Sequence, residues 1–153
     1  DALISEAYRH LTQNIYSRIT QVIDDSEKGS AIEQLRLYID ANFKPPILDR
    51  DYLKVWLVFW SLSQQQSEIA LLRDKVNNKV IHLIQDLIDK VVLEQNLANT
   101  NTRLAAVGLS SLMDGLWLEW SLNPTNFSPK QAGNICQCWV DALVSNGLGR
   151  LTD

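Results

Sequence analysis

The chain has 153 residues, 46% of them hydrophobic and 21% charged, an ordinary globular composition that fits one domain with a sizeable core. Its net charge of −4 and pI of about 5.1 argue against this chain itself gripping nucleic acid or an anionic membrane, since both want a basic patch. There is no signal-peptide pattern and no long uncharged apolar run, so no transmembrane span is expected.

In chain order, Leu11, Ile15, Ile19 and Val22 recur at spacings of three and four, which predicts a first helix over about 2–24. The polar run DDSEKGS breaks it. Ser30 with Glu33 reads as a capping box that opens a second helix, running to about Asn42. Lys44-Pro45-Pro46 ends that helix. A third is predicted over about 49–65 and a long fourth over about 67–95, with Leu72, Val76, Val80, Leu83, Leu87 and Val91 on one face. NLANTNT separates the fourth from a fifth, about 102–123, which NPTNFSP stops. Ser128, Pro129 and Gln131 form another helix start, and Gly147 suits the left-handed position after the sixth helix. No stretch alternates like a strand. The fold expected is an all-α bundle of six helices.

Cys136 and Cys138 lie two apart on the sixth helix and point to different sides, so they are not expected to pair. They read as small buried apolar residues in a reducing compartment. No metal or cofactor motif is present.

Tryptophans concentrate in two segments, WLVFW at 56–60 and DGLWLEW at 114–120. Tyr52, Trp56 and Trp60 sit four apart, forming one aromatic stripe. Leu53, Val55, Leu57, Val58 and Phe59 occupy the other faces, as in a helix surrounded by protein. On the fifth helix, Leu104, Gly108, Ser111, Gly115, Leu118 and Leu122 share one side. Glycine in a helix interior costs about 1 kcal/mol against alanine. Two on one stripe point to a tight helix–helix contact, within the chain or across a dimer. The opposite side carries Ser110, Met113, Asp114, Trp117 and Trp120. Aromatic faces beside a carboxylate suit a quaternary ammonium ligand, through cation–π attraction and charge. Alternatively, Asp114 hydrogen-bonds a neighbouring helix.

The segment LMDGLWLEWSLNPTNFSPKQAGNICQCWVDAL, with YLKVWLVFWS before it, resembles the ligand-binding region of TetR-family transcriptional repressors of the BetI-like branch. The resemblance runs from about residue 5 to 146. It implies a six-helix effector-binding and dimerisation domain in a cytoplasmic regulator, with no cofactor. Such regulators carry an N-terminal helix-turn-helix domain. This sequence begins where their second part begins, so DNA is expected to be read only through a unit absent here. The resemblance also implies a homodimer in which the last two helices pair with their symmetry mates. Gly108, Ser111, Gly115, Leu118 and Leu122 would meet there, with Ala132, Ile135, Cys136, Trp139 and Leu143 from the sixth helix. It implies choline or a related cation as effector, held by Tyr52, Trp56, Trp60, Ser110, Met113, Asp114, Trp117 and Trp120.

Two other classes compete. His10 with Glu6, and His82 with Asp86, have the spacing of a base and its orienting acid, but also of ordinary surface pairs. No phosphate loop, nucleophile elbow or zinc motif accompanies them, so no enzyme is expected. A constitutive helical partner-binding protein, its tryptophans mere core, is the other.

Overall fold

The computed structural model describes residues 2–25, 29–97 and 100–146. Six helices follow one another: α1 (Ala2–Asp25), α2 (Ala31–Asn42), α3 (Arg50–Ser63), α4 (Ser67–Gln95), α5 (Thr102–Leu122) and α6 (Pro129–Asn146). The starts lie where local chemistry places them. Ser30 Oγ accepts from the Glu33 N–H at 3.3 Å, and the Glu33 carboxylate accepts from the Ser30 N–H at 2.8 Å. Ser128 and Gln131 make the same reciprocal pair at 3.2 and 2.8 Å. Each box satisfies two backbone donors that the first helical turn leaves open. α4 stops at Asn96, whose φ of 53° is the left-handed value that asparagine tolerates. The expected role of Gly147 lies outside the described residues.

α4 is the central post. It packs against α1, α2, α3 and α5, while α6 closes the bundle over α2 and α5. Ile84, Ile88 and Val91 of α4 are fully buried, and α5 brings Ala105, Ala106 and Leu109 against the same core. The two alanines let the helices approach closely, which fits α4 and α5 being an intimate pair. Polar bonds join α2 to α6. Arg36 donates to Gln137 at 2.9 Å and to Asp141 at 2.6 Å, and Gln137 donates to Asp40 at 2.9 Å. No helix among the described residues is long and apolar enough to cross a membrane.

Three sequence expectations change here. α3 is not surrounded by protein: Val55 and Val58 are exposed, because the helix rides on the outside of the bundle. Cys136 is buried, its thiol pushed up to about 12 by burial, whereas Cys138 is exposed. Third, α6 does not offer its whole apolar stripe to a partner. Ala132, Cys136 and Leu143 are buried in the core of their own chain, at 1%, 0% and 0% exposure. Trp139 is half-buried against that core, and Ile135 stands free. On α5, Gly108, Ser111, Gly115 and Leu122 are all exposed.

Leu143→Ala is therefore expected to destabilise the isolated chain by about 2–5 kcal/mol, the range for a leucine deleted from a packed core. Denaturant unfolding at several protein concentrations checks this. A loss that vanishes on dilution would return Leu143 to an interface between subunits.

Candidate functional site

Between α1, α2, α3, α4 and α5 lies a cavity of about 390 Å³. α3 contributes Leu53, Trp56, Leu57 and Trp60, which recur at three and four and so share one face. α5 contributes Ser110, Met113, Asp114, Trp117, Leu118 and Ser121. From α1 come Tyr8, Thr12, Ile15, Tyr16 and Ile19, again at helical spacing. α2 adds Tyr38 and Asn42, and α4 adds Arg73, Val76, Asn77, Val80 and Leu83.

The aromatic wall is held in place by ring contacts and one hydrogen bond. Trp56 meets Tyr8 edge to face at a centroid distance of 5.4 Å and Trp60 at 6.4 Å. Tyr8 also leans on Phe59 at 4.4 Å. Trp117 Nε1 donates to the backbone carbonyl of Asn42 at 3.1 Å, which fixes its indole against the end of α2. Burial pushes the Tyr8 hydroxyl up to about 12 and also raises that of Tyr38. Both remain neutral phenols at ordinary pH.

Among the described residues, Asp114 is the one carboxylate on this wall. It makes no hydrogen bond and no ion pair among the described residues. Burial alone raises its carboxyl from 3.8 to about 6. Asp114 is thus not the partner of a neighbouring helix that the sequence also allowed. An ionised carboxylate among indole and phenol rings, with nothing to offset its desolvation, has chemistry suited to an organic cation.

Six of the eight sequence-selected ligand residues line the cavity: Trp56, Trp60, Ser110, Met113, Asp114 and Trp117. Tyr52 and Trp120 do not. The cavity face of α3 is centred between Leu53 and Trp60, so Tyr52 falls off its side at the first turn. Trp120 lies about 60° around α5 from Trp117 and turns away from the wall. Leu118, selected for a subunit contact, lines the cavity, because it sits at the edge of the glycine stripe. Tyr8 and Tyr16 line it too, while His10 on the same helix is exposed and meets Asn14. Sequence reasoning passed over Tyr38, Asn42 and Arg73, whose faces carry no signal beyond ordinary helical spacing. Among the described residues neither histidine bonds the acid four positions away: Glu6 engages Arg9, and His82 and Asp86 are exposed. No group of three or more metal-ligating side chains occurs among the described residues.

Residues 31–145 match the family described as the C-terminal part of BetI-type transcriptional repressors. The chain is 30% identical over 145 residues to the HTH-type transcriptional regulator BetI of Ectopseudomonas mendocina (strain ymp), covering 95% of this chain and 71% of that protein. Identity to the regulator of the same name from Stenotrophomonas maltophilia (strain R551-3) is 27% over 141 residues, covering 92% and 69%. The fold superposes on the crystal structure of a transcriptional regulator from Pseudomonas aeruginosa PAO1 with a TM-score of 0.93. That chain is 34% identical, and the match covers 99% of this chain and 73% of that one. These relatives are transcriptional regulators and not enzymes. The six-helix bundle with its aromatic cavity therefore belongs to the BetI-type family of TetR-like transcriptional repressors.

Proposed function

We propose that this chain is the effector-sensing and dimerising part of a transcriptional repressor, and that its effector is choline or a related trimethylammonium compound. DNA is read by a separate helix-turn-helix unit, in keeping with the acidic charge of this chain. The observation that carries the ligand class is Asp114, an unpaired carboxylate facing a cavity walled by Trp56, Trp60 and Trp117. A trimethylammonium group offers no N–H donor, so ring faces and a charge suit it better than a hydrogen-bonding pocket does.

Regulation follows from the position of α1. Tyr8, Thr12, Ile15, Tyr16 and Ile19 make that helix one wall of the cavity. A ligand that fits one placement of α1 better than another shifts the helix by its differential affinity, typically about 1–3 kcal/mol. In a two-fold dimer the shift changes the spacing of the two DNA-reading units. A solidly packed partner-binding bundle would leave no volume of this size.

Tryptophan fluorescence titrated with choline, betaine aldehyde and glycine betaine tests the reading. Saturable quenching that disappears in Trp117→Ala is expected. Silence from a folded dimer would leave the regulator family in place and remove the trimethylammonium assignment.

A further inference from the structure

Two opposite charges face the same cavity without meeting. Asp114 enters from α5 and Arg73 from α4, yet no ion pair joins them. Arg73 bonds Asp74 at 2.7 and 3.2 Å and approaches Ser63 Oγ at 3.4 Å. A guanidinium carries five N–H donors, so donors remain for another acceptor.

Positive charge recurs on a neighbouring face of α4, about 120–160° around the helix from Arg73. Arg73, Val76, Asn77 and Val80 face the cavity, while Leu72, Lys75, Val76 and Lys79 line an adjoining groove of about 180 Å³. Thr12, Tyr16 and Val76 line both spaces, so groove and cavity share a wall. Lys75 and Lys79 stand one helical turn apart, and neither has a carboxylate partner among the described residues. Lys79 lies over the Tyr16 ring at 5.9 Å. Like charges at this spacing repel, and an anion placed near both relieves the repulsion.

We infer that the effector is a zwitterion, its ammonium at Asp114 and an anionic group, several bonds away, toward Arg73 and the Lys75–Lys79 pair. This rests on the cation reading above and narrows it. The cavity of about 390 Å³ supports it. That volume lies within the roughly 300–1,000 Å³ of pockets for drug-sized ligands, more than a two-carbon amino alcohol fills.

Isothermal calorimetry on the whole chain tests it with choline, glycine betaine and γ-trimethylaminobutyrate, whose carboxylate stands further from its nitrogen. The butyrate is expected to bind about 10-fold tighter than choline, the gain of one charge-assisted contact. In the triple variant R73Q/K75Q/K79Q the ratio of the two Kd values is expected to fall to about one. These side chains are exposed or half-exposed, so the variant keeps the fold, which circular dichroism verifies. Choline bound as tightly as the butyrate overturns the zwitterion and keeps the cation. An advantage that survives in the triple variant places the anion elsewhere and also overturns it. Failure of all three compounds to bind overturns the cation reading and this inference together.

Discussion

Replacing Asp114 by asparagine is expected to weaken binding of a trimethylammonium ligand about 100-fold and, at the same time, to raise the melting temperature of the ligand-free chain. Both effects have one cause. The carboxylate is desolvated with no partner, which is unfavourable for the empty fold and favourable for an arriving cation. A 100-fold loss corresponds to about 2.7 kcal/mol. The carboxyl moves from 3.8 to about 6 on folding. Within that window the folded chain holds more protons than the unfolded one, so stability falls as pH rises, and the loss is complete above about 6. Among the described residues, Tyr8, Tyr16, Tyr38 and Arg73 are the other ionisable groups lining the cavity, and none pairs with Asp114. An amide at this position carries no charge to desolvate. At pH 7.5 it is expected to gain about 1–3 kcal/mol, a rise of roughly 3–8 °C. Near pH 4 the gain shrinks toward zero. Ligand affinity of the unaltered chain is expected to drop about tenfold per pH unit below the shifted value and to stay level above it. Thermal scans at both pH values, with calorimetry of choline binding, read all of this. An unchanged or lower melting temperature for the variant at pH 7.5 would show that Asp114 has a structural partner after all.

The second large effect concerns the outer face of α5. Gly108→Leu with Gly115→Leu is expected to weaken self-association about 100-fold or more while leaving the helical circular dichroism of the chain intact. A Cβ built at either glycine meets nothing within 4 Å, so the isolated chain has room for both leucines. Each also gains helix propensity, about 1 kcal/mol over glycine. Leu122, on the same stripe of α5, is 67% exposed, and Ile135 on α6 is 44% exposed. A two-fold interface presents this patch to itself, so every added side chain appears twice at the contact and separates the helices. A central interface position accounts for about 2–4 kcal/mol, which the clash removes. Sedimentation velocity across a dilution series measures the change. An unaltered dimer would place the interface on another face.

Much of this was legible in the sequence because it is local. Ser30 with Glu33, and Ser128 with Pro129 and Gln131, mark helix starts through bonds that span only three residues. Boundaries set by caps and breakers do not wait for packing. The BetI-like segments likewise led to the family, and the aromatic clusters led to Trp56, Trp60, Asp114 and Trp117.

What the sequence left open depends on which face meets which. Tyr8, Thr12, Ile15 and Ile19 repeat as any buried helical face does, and only the crossing of α1 over α3 and α4 turns that face into a cavity wall. The apolar stripe of α6 was visible, but periodicity carries no mark of whether its neighbour is the same chain or a second copy. The packing of α2 and α5 claims Ala132, Cys136 and Leu143 and leaves Ile135 outside. Asp114 shows the division most plainly. Its place beside Trp117 follows from helical spacing alone. Its lack of a partner was decided only by the bundle, which brings Arg73 to the same cavity but forms no ion pair between the two, the guanidinium staying on Asp74, its own neighbour in sequence. Hydrogen bonding within a turn is fixed by neighbours in sequence, whereas desolvation and pairing are fixed by neighbours in space.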